Sequence, residues 1–212
     1  MFRIKLSMKK PIIALVSRIY EKNNKKVYGV YETYLNKIIK NGGVPLIIPK
    51  IQLDIENKLT DKEKDDLTKL LKLCDGIVMP GGDDPYDYDF FINEYAIKND
   101  IPILGICLGM QIMGLSDGSE LVKINNHYLT KHFVYLKNNT YLKKIYNEDN
   151  VIVNSRHKYA IIEVKNYIVS SISDVIESIE YPNKKFNIGV QWHPEELEDD
   201  KLFKEFISKC KD

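Results

Sequence analysis

Few of the 212 residues are of a type that does covalent chemistry: three cysteines, at Cys74, Cys107 and Cys210, and four histidines. Cys107 stands apart by its neighbours. The stretch Ile103-Leu104-Gly105-Ile106-Cys107-Leu108-Gly109-Met110-Gln111 places it at the end of an apolar run, with a glycine two residues to either side. This is how a nucleophile is raised on a strained strand-to-helix turn, because adjoining elements pack tightly there and leave room only for small residues. A helix beginning at Leu108 would turn its positive end toward the sulfur and favour the thiolate. By itself the same pattern also suits a packed core thiol.

A second segment decides between these readings. Gly189-Val190-Gln191-Trp192-His193-Pro194-Glu195-Glu196 follows another short apolar run, with His193 86 positions after Cys107. A thiol needs a base, and a base needs a group that orients it. His193 can accept the Cys107 proton, and Glu195 can hold the imidazole in the required tautomer through its other nitrogen, giving the order Cys, His, Glu. Without the cysteine turn, His-Pro-Glu would read as a turn with a surface carboxylate.

The elements needed to position these groups follow from periodicity. Through the first half, short β-branched runs alternate with helical segments, the pattern of a parallel α/β sheet. Strands are expected at residues 11–17, 44–49, 74–79 and 101–106. Helices are expected over 28–41, ending at Gly42-Gly43, over 59–73 and over 87–99, with another beginning at Leu108. From Leu121 the runs become shorter: 133–137, 151–154, 160–164, 168–172, 175–181 and 186–191. They read as antiparallel additions to the sheet edge, with turns at Asn138-Asn139 and Pro182-Asn183. A last helix covers 201–209, and the Lys22–Lys26 cluster reads as a solvated loop.

Length and composition bound the rest. The chain is the size of one generous domain, spanning 1–212, with residues 1–7 a dispensable extension. Thirty-one basic against 30 acidic residues leave a net charge of +1, so no overall field draws it to nucleic acid or an anionic membrane. An odd cysteine count without CxxC spacing suits a reduced, cytoplasmic chain, and no apolar run is long enough for a signal peptide or membrane span. Arginine occurs only at Arg3, Arg18 and Arg156, which limits the bidentate partners available to a carboxylate.

Together, the Gly-Ile-Cys-Leu-Gly-Met-Gln turn, the earlier Pro80-Gly81-Gly82 and the Gln-Trp-His-Pro-Glu segment resemble the class I glutamine amidotransferase superfamily, in its motif order. Within it the chain is most similar to the gamma-glutamyl hydrolase branch (peptidase C26), typified by gamma-glutamyl-GABA hydrolase. That likeness rests on Lys10-Pro11-Ile12-Ile13-Ala14-Leu15, Tyr34, Asn41 to Pro49, His132-Phe133-Val134 and Val153-Asn154-Ser155-Arg156-His157. The resemblance implies a three-layer α/β/α fold with a mostly parallel central sheet and antiparallel edge strands. It also implies a gamma-glutamyl thioester on Cys107, an oxyanion hole from backbone N–H groups near Gly81, Gly82 and Leu108, and contact of Gln111 with the bound glutamyl group. Asn154, Ser155 and His157 would lie on the rim, although His157 and His132 equally suit satisfied surface histidines.

Three departures bear on specificity. The branch carries a long loop with an Arg-Asp after the Gly-Gly turn, whereas Asp83 to Phe90 is short and has no arginine. After His157 the family often has His-Gln, and here stands Lys158-Tyr159. Leu108 replaces the branch's common Arg, a feature of synthase-type glutaminases. Arg156 suits an anionic substrate group or a surface role. The expected activity is hydrolysis of a small gamma-glutamyl compound, without cofactor or metal. The alternatives are a glutaminase subunit that passes ammonia from glutamine to a separate synthetase, and a regulatory protein that has kept the fold.

Overall fold

Strands that carry apolar residues at consecutive positions bury both faces of a sheet, and the first half of this chain supplies them. The computed structural model describes residues 9–54, 58–125 and 127–211; the extension expected over residues 1–7 lies outside them. In chain order the elements are β1 (Ile12–Val16), β2 (Arg18–Lys22), β3 (Lys25–Gly29), α1 (Glu32–Lys40), β4 (Val44–Ile48), α2 (Asp61–Leu71), β5 (Gly76–Met79), α3 (Asp87–Asn99), β6 (Ile103–Ile106) and α4 (Leu108–Ser116). Then come β7 (Leu121–Lys123), β8 (Tyr128–Leu136), α5 (Tyr141–Tyr146), β9 (Asn150–Arg156), β10 (Tyr159–Ile161), β11 (Ile168–Ile172), β12 (Ile176–Glu180), β13 (Asn187–Val190), a 3-10 turn over Pro194–Glu196 and α6 (Lys201–Lys209).

The main sheet runs β4-β1-β5-β6-β13-β12-β11-β8-β9. Its β4, β1, β5, β6 and β13 are parallel, and β12, β11, β8 and β9 extend it antiparallel. Alternation along β1 shows the layering. Ile13 and Leu15 join Tyr34, Ile38, Phe203 and Phe206 on one face, while Ala14 and Val16 join Leu67, Ile92, Met110 and Ile112 on the other. The expected three-layer α/β/α architecture is therefore present, each large apolar side chain contributing about 1.5–3 kcal/mol on burial. No helix among the described residues is long and apolar enough to cross a membrane.

Local chemistry explains the helix ends. Thr60 and Glu63 form a reciprocal capping box at the start of α2. Helix α1 stops where Gly42 takes a positive φ of 91°, which lets the Gly43 N–H reach the Ile38 carbonyl at 2.9 Å.

The structure corrects the sequence reading in four places. The 160–164 run does not extend the main sheet: β10 pairs antiparallel with β7 in a separate two-stranded sheet. The Lys22–Lys26 region and the start of the expected 28–41 helix form a hairpin, β2 with β3, turned by Asn23 and Asn24 at φ 52° and 58°. Asparagine tolerates that left-handed region, and two in succession make the primed turn that suits a twisted ribbon. A short helix, α5, follows the Asn138-Asn139 turn, capped by the Thr140 side chain. Finally, β13 is no edge addition: it lies mid-sheet, parallel to β6.

Candidate active site

The β6–α4 junction places Cys107 at the cap of α4 with φ 52° and ψ −102°, a conformation that strains any residue with a side chain. The flanking glycines make the turn possible. A Cβ on Gly109 would overlap the Met79 carbonyl, and one on Gly105 would come within 2.8 Å of the Gly109 backbone. The Cys107 N–H donates to the Val190 carbonyl at 2.8 Å, which ties the nucleophile's turn to the end of the neighbouring strand.

That strand leads into His193. Its imidazole and Cys107 both border Gly81, and Nδ1 lies 2.6 Å from Glu195 Oε1. Burial works against a charged ring here, but the bonds to Cys107 and Glu195 and the carboxylate charge prevail and raise the His193 pKa to about 10. The Asn154 side chain clamps the backbone on both sides: Oδ1 accepts from the His193 N–H at 2.9 Å, and Nδ2 donates to the His193 carbonyl at 3.1 Å. Asn154 Nδ2 also reaches Glu196, which pairs with Arg156 at 2.9 Å.

The Pro80-Gly81-Gly82 turn faces this group. A Cβ on Gly81 would come within 2.9 Å of His193 Cε1. The Gly81 N–H donates to the buried Tyr34 hydroxyl at 3.0 Å, and burial together with the nearby Glu195 carboxylate pushes the Tyr34 pKa well up. Leu108 supplies the first N–H of α4, which the helix itself leaves without an acceptor.

Sequence reasoning gave no role to the ion pair beneath this turn. Arg18, the first residue of the β2–β3 hairpin, places NH1 2.7 and 2.8 Å from the two Asp89 oxygens, and both groups are almost fully buried. Its Nε and NH2 donate to the Pro80 carbonyl at 3.3 and 3.1 Å. Burial pushes the Asp89 pKa up, opposed by Arg18 and the Tyr86 N–H. An arginine therefore does reach the Gly-Gly turn, from a different part of the chain than the missing loop. A buried-type arginine followed 71 positions later by an aspartate at a helix start was the only sequence signal.

The remaining candidates sit farther along the sheet. Gln111 donates through Nε2 to the Tyr159 carbonyl at 3.0 Å and to Gln191 Oε1 at 3.2 Å. Ser155 Oγ donates to the His127 carbonyl. His157 is buried, with Nδ1 3.0 Å from the Tyr159 carbonyl and its ring against that of His127. His132 contacts Glu177. Cys74 and Cys210 are buried away from this constellation, and burial pushes the Cys74 thiol up to about 11 and the Cys210 thiol higher still.

The chain is similar to several known proteins. The Peptidase C26 family model matches residues 11–195. A glutamine amidotransferase-like protein of Rickettsia prowazekii is 26% identical, with 95% of this chain and 98% of that protein covered. The CTP synthase of Borreliella afzelii is 32% identical over 74% of this chain, which spans only 39% of that enzyme. Among solved structures, the glutaminase domain of Trypanosoma brucei CTPS with bound acivicin superposes with a TM-score of 0.75 at 21% identity, covering 94% and 93% of the two chains. A GMP synthase component from Thermoplasma acidophilum gives 0.69 at 20% identity, covering 94% of each.

Proposed function

The chain belongs to the Peptidase C26 family, and from that premise we propose that it hydrolyses the gamma-glutamyl amide bond of a small gamma-glutamyl compound, releasing glutamate and an amine or ammonia. One observation carries the reading: a cysteine on a strained turn lies beside an imidazole, across Gly81, whose Nδ1 is held 2.6 Å from a buried carboxylate.

In this mechanism Cys107 Sγ, its proton passed to His193, attacks the amide carbon. The oxygen that gains charge is met by the N–H of Leu108 and by that of Gly82, since the Gly81 N–H is already given to Tyr34. Each such donor is worth roughly 10²- to 10³-fold in rate, because it meets charge that develops only in the transition state. His193 then protonates the departing amine, leaving a thioester. It next takes a proton from water, whose attack frees glutamate and restores the thiol. Gln111, Asn154, Ser155 and His157 would border the glutamyl group or hold those that do. The test is glutamate release by the purified protein from a panel of gamma-glutamyl amines, abolished in Cys107→Ala. Inactivity across the panel would overturn the proposal.

A second reading is favoured by the likeness to CTP synthase and to the GMP synthase component. In it the same chemistry acts on glutamine and passes ammonia to a separate synthetase. Its mark is weak glutaminase activity that rises sharply when the partner is added.

A further inference from the structure

Three of the chain's four histidines converge on one buried carboxylate outside the Cys107 site. His127 precedes β8, His132 lies on β8, His157 follows β9, and Glu177 lies on β12 with no exposure to solvent. From Glu177 Oε1 the distances are 2.9 Å to His132 Nε2, 3.6 Å to His127 Nδ1 and 3.9 Å to His157 Nε2. The His127 ring lies 4.9 Å, centroid to centroid, from each of the other two. His132 donates to Glu177 Oε1, but the other inward-facing atoms are acceptors, which rarely crowd together inside a protein unless something positive sits among them.

The outward-facing nitrogens fix what that is. His127 places Nε2 2.7 Å from the Asp174 carboxylate, so that nitrogen carries the proton and Nδ1 turns a bare lone pair inward. His157 does the converse: Nδ1 gives its proton to the Tyr159 carbonyl at 3.0 Å, and Nε2 turns inward. Among the described residues, His127 Nδ1, His157 Nε2 and Glu177 Oε2 are all buried without a hydrogen-bond partner. Such groups are rare, and three in one place point to a shared ligand. An imidazole held by a carboxylate or carbonyl on one nitrogen and bare on the other is the arrangement that orients metal-binding histidines.

The geometry points to a divalent-metal site formed by His127, His132 and Glu177, whose ligand atoms all lie within 4.8 Å of one another, with His157 Nε2 beside them, 3.9 Å from Glu177 Oε1; this donor set suits zinc. Zinc bonds of about 2.0–2.1 Å in a tetrahedron put neighbouring donors about 3.3 Å apart, and the three distances from Glu177 bracket that value. Imidazoles beside one carboxylate suit zinc better than the hard cations, which take oxygen. Ser173 Oγ lies 2.9 Å from Glu177 Oε1 and 3.0 Å from Asp174 Oδ1, and its one proton can serve either acid. A metal here closes the antiparallel half of the sheet by joining β8, the end of β9 and β12. It also fixes the Tyr159 carbonyl to which Gln111 donates. The site adds to the reaction proposed above and takes no part in its chemistry.

The experiment strips the protein with chelator, loads it with Zn²⁺, passes it through gel filtration and measures metal per chain and melting temperature. One zinc per chain and a chelator-reversible rise in melting temperature are expected in the wild type and in Cys107→Ala and His193→Ala. Glu177→Gln and His132→Ala should lose the metal. Asp174→Asn changes a residue that is three-quarters exposed and so leaves folding intact; it should weaken zinc binding on the order of 10- to 100-fold. Cobalt in place of zinc should show tetrahedral visible bands without thiolate charge transfer. Absence of stoichiometric zinc in the wild type, full retention in Asp174→Asn and Glu177→Gln, or loss in His193→Ala would each overturn the assignment.

Discussion

Asp89→Ala removes the carboxylate that faces Arg18 across two short bonds, and leaves a guanidinium buried with a side chain only 3% exposed. Breaking such a buried pair from one side costs about 3–5 kcal/mol. The Tyr86 N–H, 3.0 Å from Asp89 Oδ2, loses its acceptor as well, which adds about 1 kcal/mol. In a domain of this size each kcal/mol moves the melting temperature by about 2–4 °C, so a fall of roughly 8–24 °C is expected. The double variant Arg18→Met/Asp89→Leu separates stability from positioning. Exchanging both charges for apolar groups of similar volume is often neutral, so what remains as a cost is the desolvated Pro80 carbonyl, about 1–3 kcal/mol, and the Tyr86 N–H without its acceptor, about 1 kcal/mol. Part of the melting temperature should return while the Pro80-Gly81-Gly82 turn stays unanchored. Capture of Cys107 by a glutamine-analogue electrophile passes through the same attack geometry, and it should remain on the order of 100-fold slow in the double variant. Scanning calorimetry and the capture rate give the two readings. A double variant that captures at the wild-type rate would refute the positioning role of Arg18, and an Asp89→Ala protein melting within a few degrees of wild type would refute the buried-pair energetics.

Other outcomes follow from the same geometry. Glu195→Gln keeps the shape but removes the charge 2.6 Å from His193 Nδ1. A kcat loss on the order of 10⁴ is expected, with little change in KM, and in an NMR titration the His193 pKa should fall well below its wild-type value of about 10. The raised pKa also has a signed effect on stability. A histidine whose folded pKa lies above its unfolded value of about 6.5 contributes stability that is complete below that pH and is lost as pH rises through the folded value. The difference in melting temperature between wild type and His193→Gln should therefore shrink from pH 6.5 toward pH 10; a difference that grows with pH would show the sign to be wrong. Gly109→Ala sets a methyl against the Met79 carbonyl, which no rotamer relieves. It should cost at least about 1–3 kcal/mol in a urea melt, whereas Gly29→Ala, with only Tyr20 at 4.0 Å, should change stability by less than about 0.5 kcal/mol.

What the sequence made legible was local chemistry. Cys107 between two glycines, Thr60 with Glu63 and the Gly42-Gly43 stop each declare themselves within a few residues, and each has the geometry its residue types require. Long-range pairing left fainter traces. The β2–β3 hairpin hid in a lysine-rich segment because its strands are mostly exposed and show no apolar alternation; only Asn23-Asn24 signalled the turn. Strand β13 looked like its antiparallel neighbours because four residues of β-type sequence do not reveal which strand they pair with. Helix α5, at six residues, is too short for a periodicity to stand out. The Arg18–Asp89 pair and the Glu177 cluster join residues 71 and up to 50 positions apart. No spacing rule reaches across such distances, since the sheet order alone decides which segments meet.

The pairing of β6 with β13 has a consequence for how this chain can vary. Gly105 lies opposite Gly189 and Ile106 opposite Val190, so the segments carrying Cys107 and His193 leave the sheet side by side, on two rails set by backbone hydrogen bonds. Beyond the glycines at 105 and 109 and the Asn154 clamp on His193, side-chain identity contributes little to that alignment. With those contacts kept, the segments between the rails can lengthen, shrink or change partner without shifting Cys107 and His193. Selection can therefore rework what the enzyme recognises while leaving how it reacts untouched.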